Sequence, residues 1–166
     1  MSNKIAVIGL GNSLRRDDGI GIIILESLLN NYKRGKIDYL NFGSASFDLM
    51  HRLQNYDKAL LIDGINAGLL AGELKTFDLE QVSFTEKDNL ISSHELNLKD
   101  IFKLTRNLEI KAKIYVAGIQ VQDVSFGESL SAPLKEKLPE LTRQIDEFIG
   151  MVLKKNGDGS IFPVKK

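Results

Sequence analysis

The sequence predicts a single-domain, three-layer α/β/α sandwich around a mostly parallel, mixed five-stranded sheet. Three observations carry that prediction. Short β-branched apolar runs alternate with segments of helical periodicity, the pattern of βαβ units. Two short apolar runs, residues 4–10 (KIAVIGL) and 58–62 (KALLI), read as buried strands. The length of 166 residues suits one domain, and a chain of that size buries roughly 70% of its unfolded surface.

The elements follow in order. After the strand at 4–10, glycine breaks the run. From Asp18, residues Ile20, Ile23, Ile24, Ser27 and Leu28 share one helical face, with an end expected near Asn30-Asn31. Residues 36–42 read as a second strand, 47–54 as a short amphipathic helix and 58–62 as a third strand. A loop at 64–72 leads to an edge strand at 73–77, the expected antiparallel member. Residues 79–91 lack a period and are expected to form a loop or lid. Ser92 and Glu95 have the spacing of a capping box, opening a helix with Leu98, Ile101, Phe102, Thr105 and Leu108 on its apolar face. Residues 113–121 (KIYVAGIQV) read as the last central strand. Leu134, Leu138, Leu141, Ile145, Phe148 and Val152 mark a long final helix, which Pro139 should kink or restart. The domain is expected to span residues 1–155, with 156–166 a flexible tail in which Phe162 could dock.

Composition excludes several classes. Lys and Arg together number 22, as do Asp and Glu, so the chain lacks the basic surplus of a nucleic-acid binder. It contains no cysteine, which removes disulfides, zinc-thiolate sites and thiol nucleophiles and fits a reducing cytoplasm. The first apolar stretch is too short for a signal core, and no segment approaches the roughly 20 apolar residues of a membrane helix. A cytoplasmic monomer with no nucleic-acid or membrane partner is the expectation.

In an open α/β sheet, sites form where parallel strands end. Three turns carry a candidate ligand there: Asp18 in the turn after the first strand, Asp63 just past the third, and His94 at a helix start. Two carboxylates and an imidazole suit a borderline divalent ion with positions left open. Asp17 and Asp18 should differ in role, since adjacent helical residues point about 100° apart. Helix capping and the helix dipole account for Asp17 without function, so Asp18 is the better ligand. A helix N-terminus disfavours imidazolium, which would keep His94 neutral and able to bind metal. His51 has no acidic neighbour in its pattern and reads as surface. Rival motifs fail: Gly9-Leu10-Gly11 lacks the third glycine of a dinucleotide fingerprint, Leu14 standing there. No Walker loop or nucleophile elbow is present, and His94-Glu95 lacks the second histidine of a zinc-peptidase helix.

The segment Gly9-Leu10-Gly11-Asn12-Ser13-Leu14-Arg15-Arg16-Asp17-Asp18-Gly19-Ile20-Gly21 closely resembles the N-terminal signature of the hydrogenase maturation peptidase family. In that signature a G-x-G-N turn leads to an acidic pair and then G-x-G. Leu61-Ile62-Asp63, Ser93-His94-Glu95, Gly118-Ile119-Gln120 and Leu130-Ser131 with Pro133 resemble its later motifs, in order. Gly43-Ser44 resembles its Gly-Thr turn, with Ser in place of Thr. The resemblance implies an aspartate-dependent, metal-assisted endopeptidase that removes a C-terminal extension from a hydrogenase large-subunit precursor. It implies Asp18, Asp63 and His94 as metal-contacting residues, Asp18 and Asp63 also as catalytic candidates. The metal would be nickel, carried by the substrate rather than permanently bound. Gly9, Gly11, Asn12, Gly19, Gly21 and Gly43 would shape the backbone where the substrate tail approaches. A related peptidase with another protein substrate, or a metal-responsive assembly chaperone that binds without cutting, would keep the same ligands. A nucleotide-binding module is the more distant alternative.

Overall fold

The computed structural model describes residues 3–44, 47–83 and 96–154. It runs β1 (Ile5–Leu10), a 3₁₀ turn (Arg16–Gly19), α1 (Ile20–Asn31), β2 (Ile37–Gly43), α2 (Phe47–Leu53), β3 (Lys58–Ile65) and β4 (Leu74–Asp78). A second 3₁₀ turn (Leu79–Gln81), α3 (Leu98–Asn107), β5 (Lys113–Gln120) and α4 (Ala132–Lys154) follow. The strands form one sheet in the order β2-β1-β3-β5-β4, parallel except for β4. This is the expected mixed five-stranded sheet.

Side chains alternate across each strand, so each central strand feeds two cores. Ile5, Val7, Leu60, Ile62, Tyr115, Ala117 and Ile119 pack against α1 and α4 through Ile20, Ile24, Leu28, Leu141 and Ile145. Ala6, Ile8, Leu10, Leu61, Ile65, Ile114 and Val116 pack on the other face, against Leu49 and Leu53 of α2 and Leu98 and Ile101 of α3. These two cores make the three layers. Among the described residues no helix is long and apolar enough to cross a membrane.

Several boundaries differ from expectation, each for a physical reason. β3 continues to Ile65 because β5 supplies partners beyond Ile62, pairing Gly118 with Asp63 and Gln120 with Ile65. β4 pairs with β5 rather than with β3, the strand its connecting loop leaves, because β5 is inserted between them. α3 begins at Leu98. Asn97 is extended and makes a reciprocal capping box with Asp100, its side chain accepting from Asp100 N at 2.9 Å. The proposed cap at Ser92–Glu95, His94 included, lies outside the described residues. Leu108 follows the last turn of α3 and is exposed, the chain reversing at Glu109 with φ of 51°. α4 neither stops nor restarts at Pro139. The proline ring is exposed, so the carbonyl deprived of its helix partner faces water rather than the core. The tail beyond Lys154, and the part of the proposed lid from 84 to 91, lie outside the described residues.

Candidate active site

β1 leads through α1 to β2 on one side of it, whereas β2 leads through α2 to β3 on the other side. The two crossovers leave a crevice at the carboxyl ends of β1 and β3, the switch point where open α/β sheets bind ligands. Both described carboxylate candidates are there. Asp18 lies in the 3₁₀ turn that follows β1, and its side chain is 3% exposed. Asp63 is 1% exposed and sits one residue past the last β1–β3 pair, Gly9 with Ile62. It is therefore inside β3 rather than after it, held by the pairing with Gly118. Strand alternation places it on the face of Leu61 and Ile65, the side covered by α2 and α3.

Asp17 and Asp18 turn to different partners, and neither caps a helix. Neither the 3₁₀ turn nor α1 has a side-chain cap hydrogen bond. Asp17 is wholly buried and reaches across to the segment joining β5 to α4. Its carboxylate accepts from Gln122 N (2.9 Å), Asp123 N (2.9 Å), Ser131 N (2.7 Å) and Ser131 Oγ (2.7 Å). One buried carboxylate thus satisfies three backbone donors of a loop that has no ladder of its own. Asp18 turns the other way, accepting from Asn12 N at 3.0 Å. Asn12 Oδ1 in turn accepts from Leu14 N at 2.9 Å, closing an Asx turn.

The same two loops are stitched by backbone. Arg16 N donates to Gly127 O at 2.9 Å, Gly127 N to Leu14 O at 2.9 Å and Asp17 N to Asp123 O at 3.0 Å. Arg16 takes a left-handed φ of 43° to make this crossing. Its Nε stands 3.6 Å from the carboxylate of Asp123. Asp123 also accepts from Ser125 N and Oγ, and these hydrogen bonds hold its pKa below the ordinary carboxylate value.

The glycines have an internal explanation. A Cβ on Gly21 would stand 2.2 Å from Ile62 O and 2.3 Å from Leu10 O, so the first turn of α1 rests directly on the ends of β1 and β3. Gly11 adopts a φ of +143°, and a Cβ there would meet Asp18 O at 2.1 Å. Gly9 and Gly19 are similarly close to Gly21 O and to Ser13. These four bring the acidic turn onto the sheet. Gly43 differs: its φ is +57° and a Cβ would meet nothing within 4 Å. Its carbonyl accepts from Gly11 N at 2.8 Å, joining the turns after β1 and β2.

Gln120, which the sequence offered only as the end of a motif, anchors the loop after β3. Its Oε1 accepts from Ala67 N (2.8 Å) and Leu69 N (3.2 Å), while Nε2 donates to Asn66 Oδ1 (3.2 Å) and Val121 O (2.9 Å). The available signal was a lone amide ending an apolar strand. Ser131, noted only as part of a motif, proves to be a partner of Asp17. His51 is exposed, as expected. His94 lies outside the described residues, and among those described no group of three or more His, Asp or Glu could hold a metal ion. The pair Asp18 and Asp63 offers oxygen donors for a cation shared with other ligands, or a base for water.

Comparisons with known proteins bear on which chemistry applies. A family model described as HycI, hydrogenase maturation protease, matches residues 22–147. The glycine-rich turn lies immediately before that range. The Escherichia coli hydrogenase 2 maturation protease is 31% identical over 121 residues, covering 70% of this chain and 72% of that protein. The hydrogenase expression/formation protein HupD of Thiocapsa roseopersicina is 23% identical over 164 residues, covering 95% of this chain and 74% of its own. Among solved structures, the E. coli hydrogenase maturating endopeptidase HybD superposes with a TM-score of 0.74 at 22% identity, over 90% of this chain and 93% of that one. The [NiFe] hydrogenase maturation protease HycI of Thermococcus kodakarensis gives 0.70 at 24%, over 89% and 93%. At those identities the two structures speak for the fold alone.

Proposed function

Because this chain belongs to the hydrogenase maturation protease family, we propose that it cuts the C-terminal extension from a nickel-containing hydrogenase large-subunit precursor after nickel insertion. The family makes it a peptidase. The observation that carries the finer reading is the pair of buried carboxylates, Asp18 and Asp63, on adjoining elements at the switch point of the sheet. A structural neighbour, the T. kodakarensis protease, is described as serving a [NiFe] hydrogenase.

In this reading Asp18, Asp63 and His94 contact nickel that arrives on the precursor. Two carboxylates fit an incomplete oxygen shell that the substrate's own ligands complete. α3, which starts four residues after His94, covers the face that Asp63 shares, and four residues span at most about 14 Å. When present, nickel supplies charge stabilisation at the scissile carbonyl or simply reports that the precursor is loaded. Asp18 or Asp63 takes a proton from water as its oxygen bonds to the carbonyl carbon. The C–N bond then breaks and the leaving amine receives a proton.

The test is co-expression with a hydrogenase large-subunit precursor and its nickel-insertion machinery, followed by intact-mass measurement. Wild type removes a discrete C-terminal peptide only with nickel, and Asp18→Asn, Asp63→Asn and His94→Ala abolish the cut. Asp18→Asn that still binds the precursor assigns Asp18 to chemistry; lost binding assigns it to recognition. Uncut precursor with verified nickel and wild-type peptidase overturns the proposal.

A further inference from the structure

The turn that carries Asp18 is inverted in polarity. Asp17 and Asp18 are buried, at 0% and 3% exposure, whereas Leu14 in the same turn is 59% exposed. Across from it, Phe126 is 76% exposed, with Val124 exposed beside it. Leu14 and Phe126 are not loose ends. Gly127 N donates to Leu14 O at 2.9 Å, and the guanidinium of Arg15 lies 4.9 Å from the centroid of the Phe126 ring. A buried acid beside an exposed, positioned aromatic is the informative departure from ordinary surface statistics.

The wider distribution agrees. Among the described residues, the large apolar side chains left exposed are Leu14, Phe47, Leu69, Leu70, Val124 and Phe126, plus Leu108 and Met151. The first six follow the carboxyl ends of β1, β2, β3 and β5, the end of the sheet where Asp18 and Asp63 lie. Leu108 and Met151 stand at the C-terminal ends of α3 and α4.

We infer that Leu14, Arg15 and Phe126 form a docking surface for an apolar segment of the precursor next to its cleaved extension. The inference rests on the proposed function. The surface is continuous with the site, since Leu14 N and Asp18 Oδ2 are both held by Asn12. Leu14 is thus exposed four residues before Asp18 on the same turn. A second copy of this protein seated there would cover the acidic turn and close the site, which argues for substrate as the occupant. An exposed aromatic anchor flanked by arginine matches the composition of recognition patches.

The experiment measures cleavage rates against concentration of nickel-loaded precursor for wild type, Leu14→Ser/Phe126→Ser and Leu108→Ser. Sedimentation and thermal melting accompany each protein. The double variant melts like wild type, since both side chains are exposed, and raises KM by about tenfold or more with kcat nearly retained. Leu108→Ser leaves both unchanged. The single variants serve if the double one melts early. An unchanged KM in a folded variant, with wild type active, overturns this inference and spares the proposed function. A wild-type dimer that the double substitution dissociates, with KM unchanged, assigns the patch to self-association and also overturns it. Wild type that neither binds nor cuts the precursor sinks both.

Discussion

Replacing Asp17 tests whether the acidic pair is divided between structure and chemistry. The Asp17 carboxylate is wholly buried and accepts four hydrogen bonds from Gln122, Asp123 and Ser131. Hydrogen bonds to a charged group are worth roughly 1.5–3 kcal/mol each, but loop donors at the surface recover part of that from water. Asp17→Ala should therefore cost about 4 kcal/mol, less than the sum of four bonds. Asp17→Asn is milder. Its oxygen can replace Oδ2, which serves Gln122, Asp123 and the Ser131 hydroxyl, but its amino group then faces Ser131 N, donor against donor. About 2 kcal/mol is expected. Ser131→Ala removes one hydroxyl donor and should cost about 1 kcal/mol. The assay is urea unfolding followed by far-ultraviolet circular dichroism, the chain having no tryptophan. At a slope of about 2 kcal/mol per molar, the midpoint falls by about 2 M for Asp17→Ala and about 1 M for Asp17→Asn. Asp17→Ala within about 1 kcal/mol of wild type would refute the structural assignment. So would a Ser131→Ala loss equal to that of Asp17→Ala, because three backbone donors remain in that variant.

Other outcomes follow from single contacts. Gly21→Ala places a Cβ within 2.3 Å of two backbone oxygens, neither on a flexible side chain, and should destabilise by about 3 kcal/mol or more; a melting temperature within 2 °C of wild type, on the order of 1 kcal/mol, contradicts the packing. Asn97→Ala removes the cap of α3 and should cost about 1 kcal/mol, read from urea unfolding; no loss would place the functional start of the helix elsewhere. Asp123 titrates below the ordinary carboxylate value because Ser125 donates to its charged form. Its small stabilisation is present above the unfolded pKa and is lost as pH falls through the lower folded one. A carbon-detected NMR titration with a midpoint at or above the free-aspartate value would contradict this.

Much of this was legible in the sequence because it depends on local pattern. Apolar runs marked the strands, and the glycine spacing marked the turn that positions Asp18. What the sequence could not display was the long-range partner. The structural role of Asp17 rests on residues 105, 106 and 114 positions away, so nearest-neighbour reasoning assigned it to a helix cap that does not form. The length of β3 was hidden for the same reason, since Asp63 to Ile65 become strand only through β5. At α3 the sequence pattern pointed to Ser92 with Glu95, whereas the structure shows a box of Asn97 with Asp100. Local chemistry alone does not rank them; the observed helix starts from the second, where Leu98 and Ile101 enter the core together.

The long reach of Asp17 also sets an order of events during folding. Its partners are synthesised more than a hundred residues later, and closing so large a loop is entropically expensive until the strands between have paired. α1 can settle on β1 and β3 early, but the turn bearing Asp18 is locked only once β5 is in place and residue 131 has been added. A growing chain released before that point lacks the anchor for its own acidic turn. The acidic turn is therefore among the last parts of the molecule to take its final shape, although its own residues are among the first to be made.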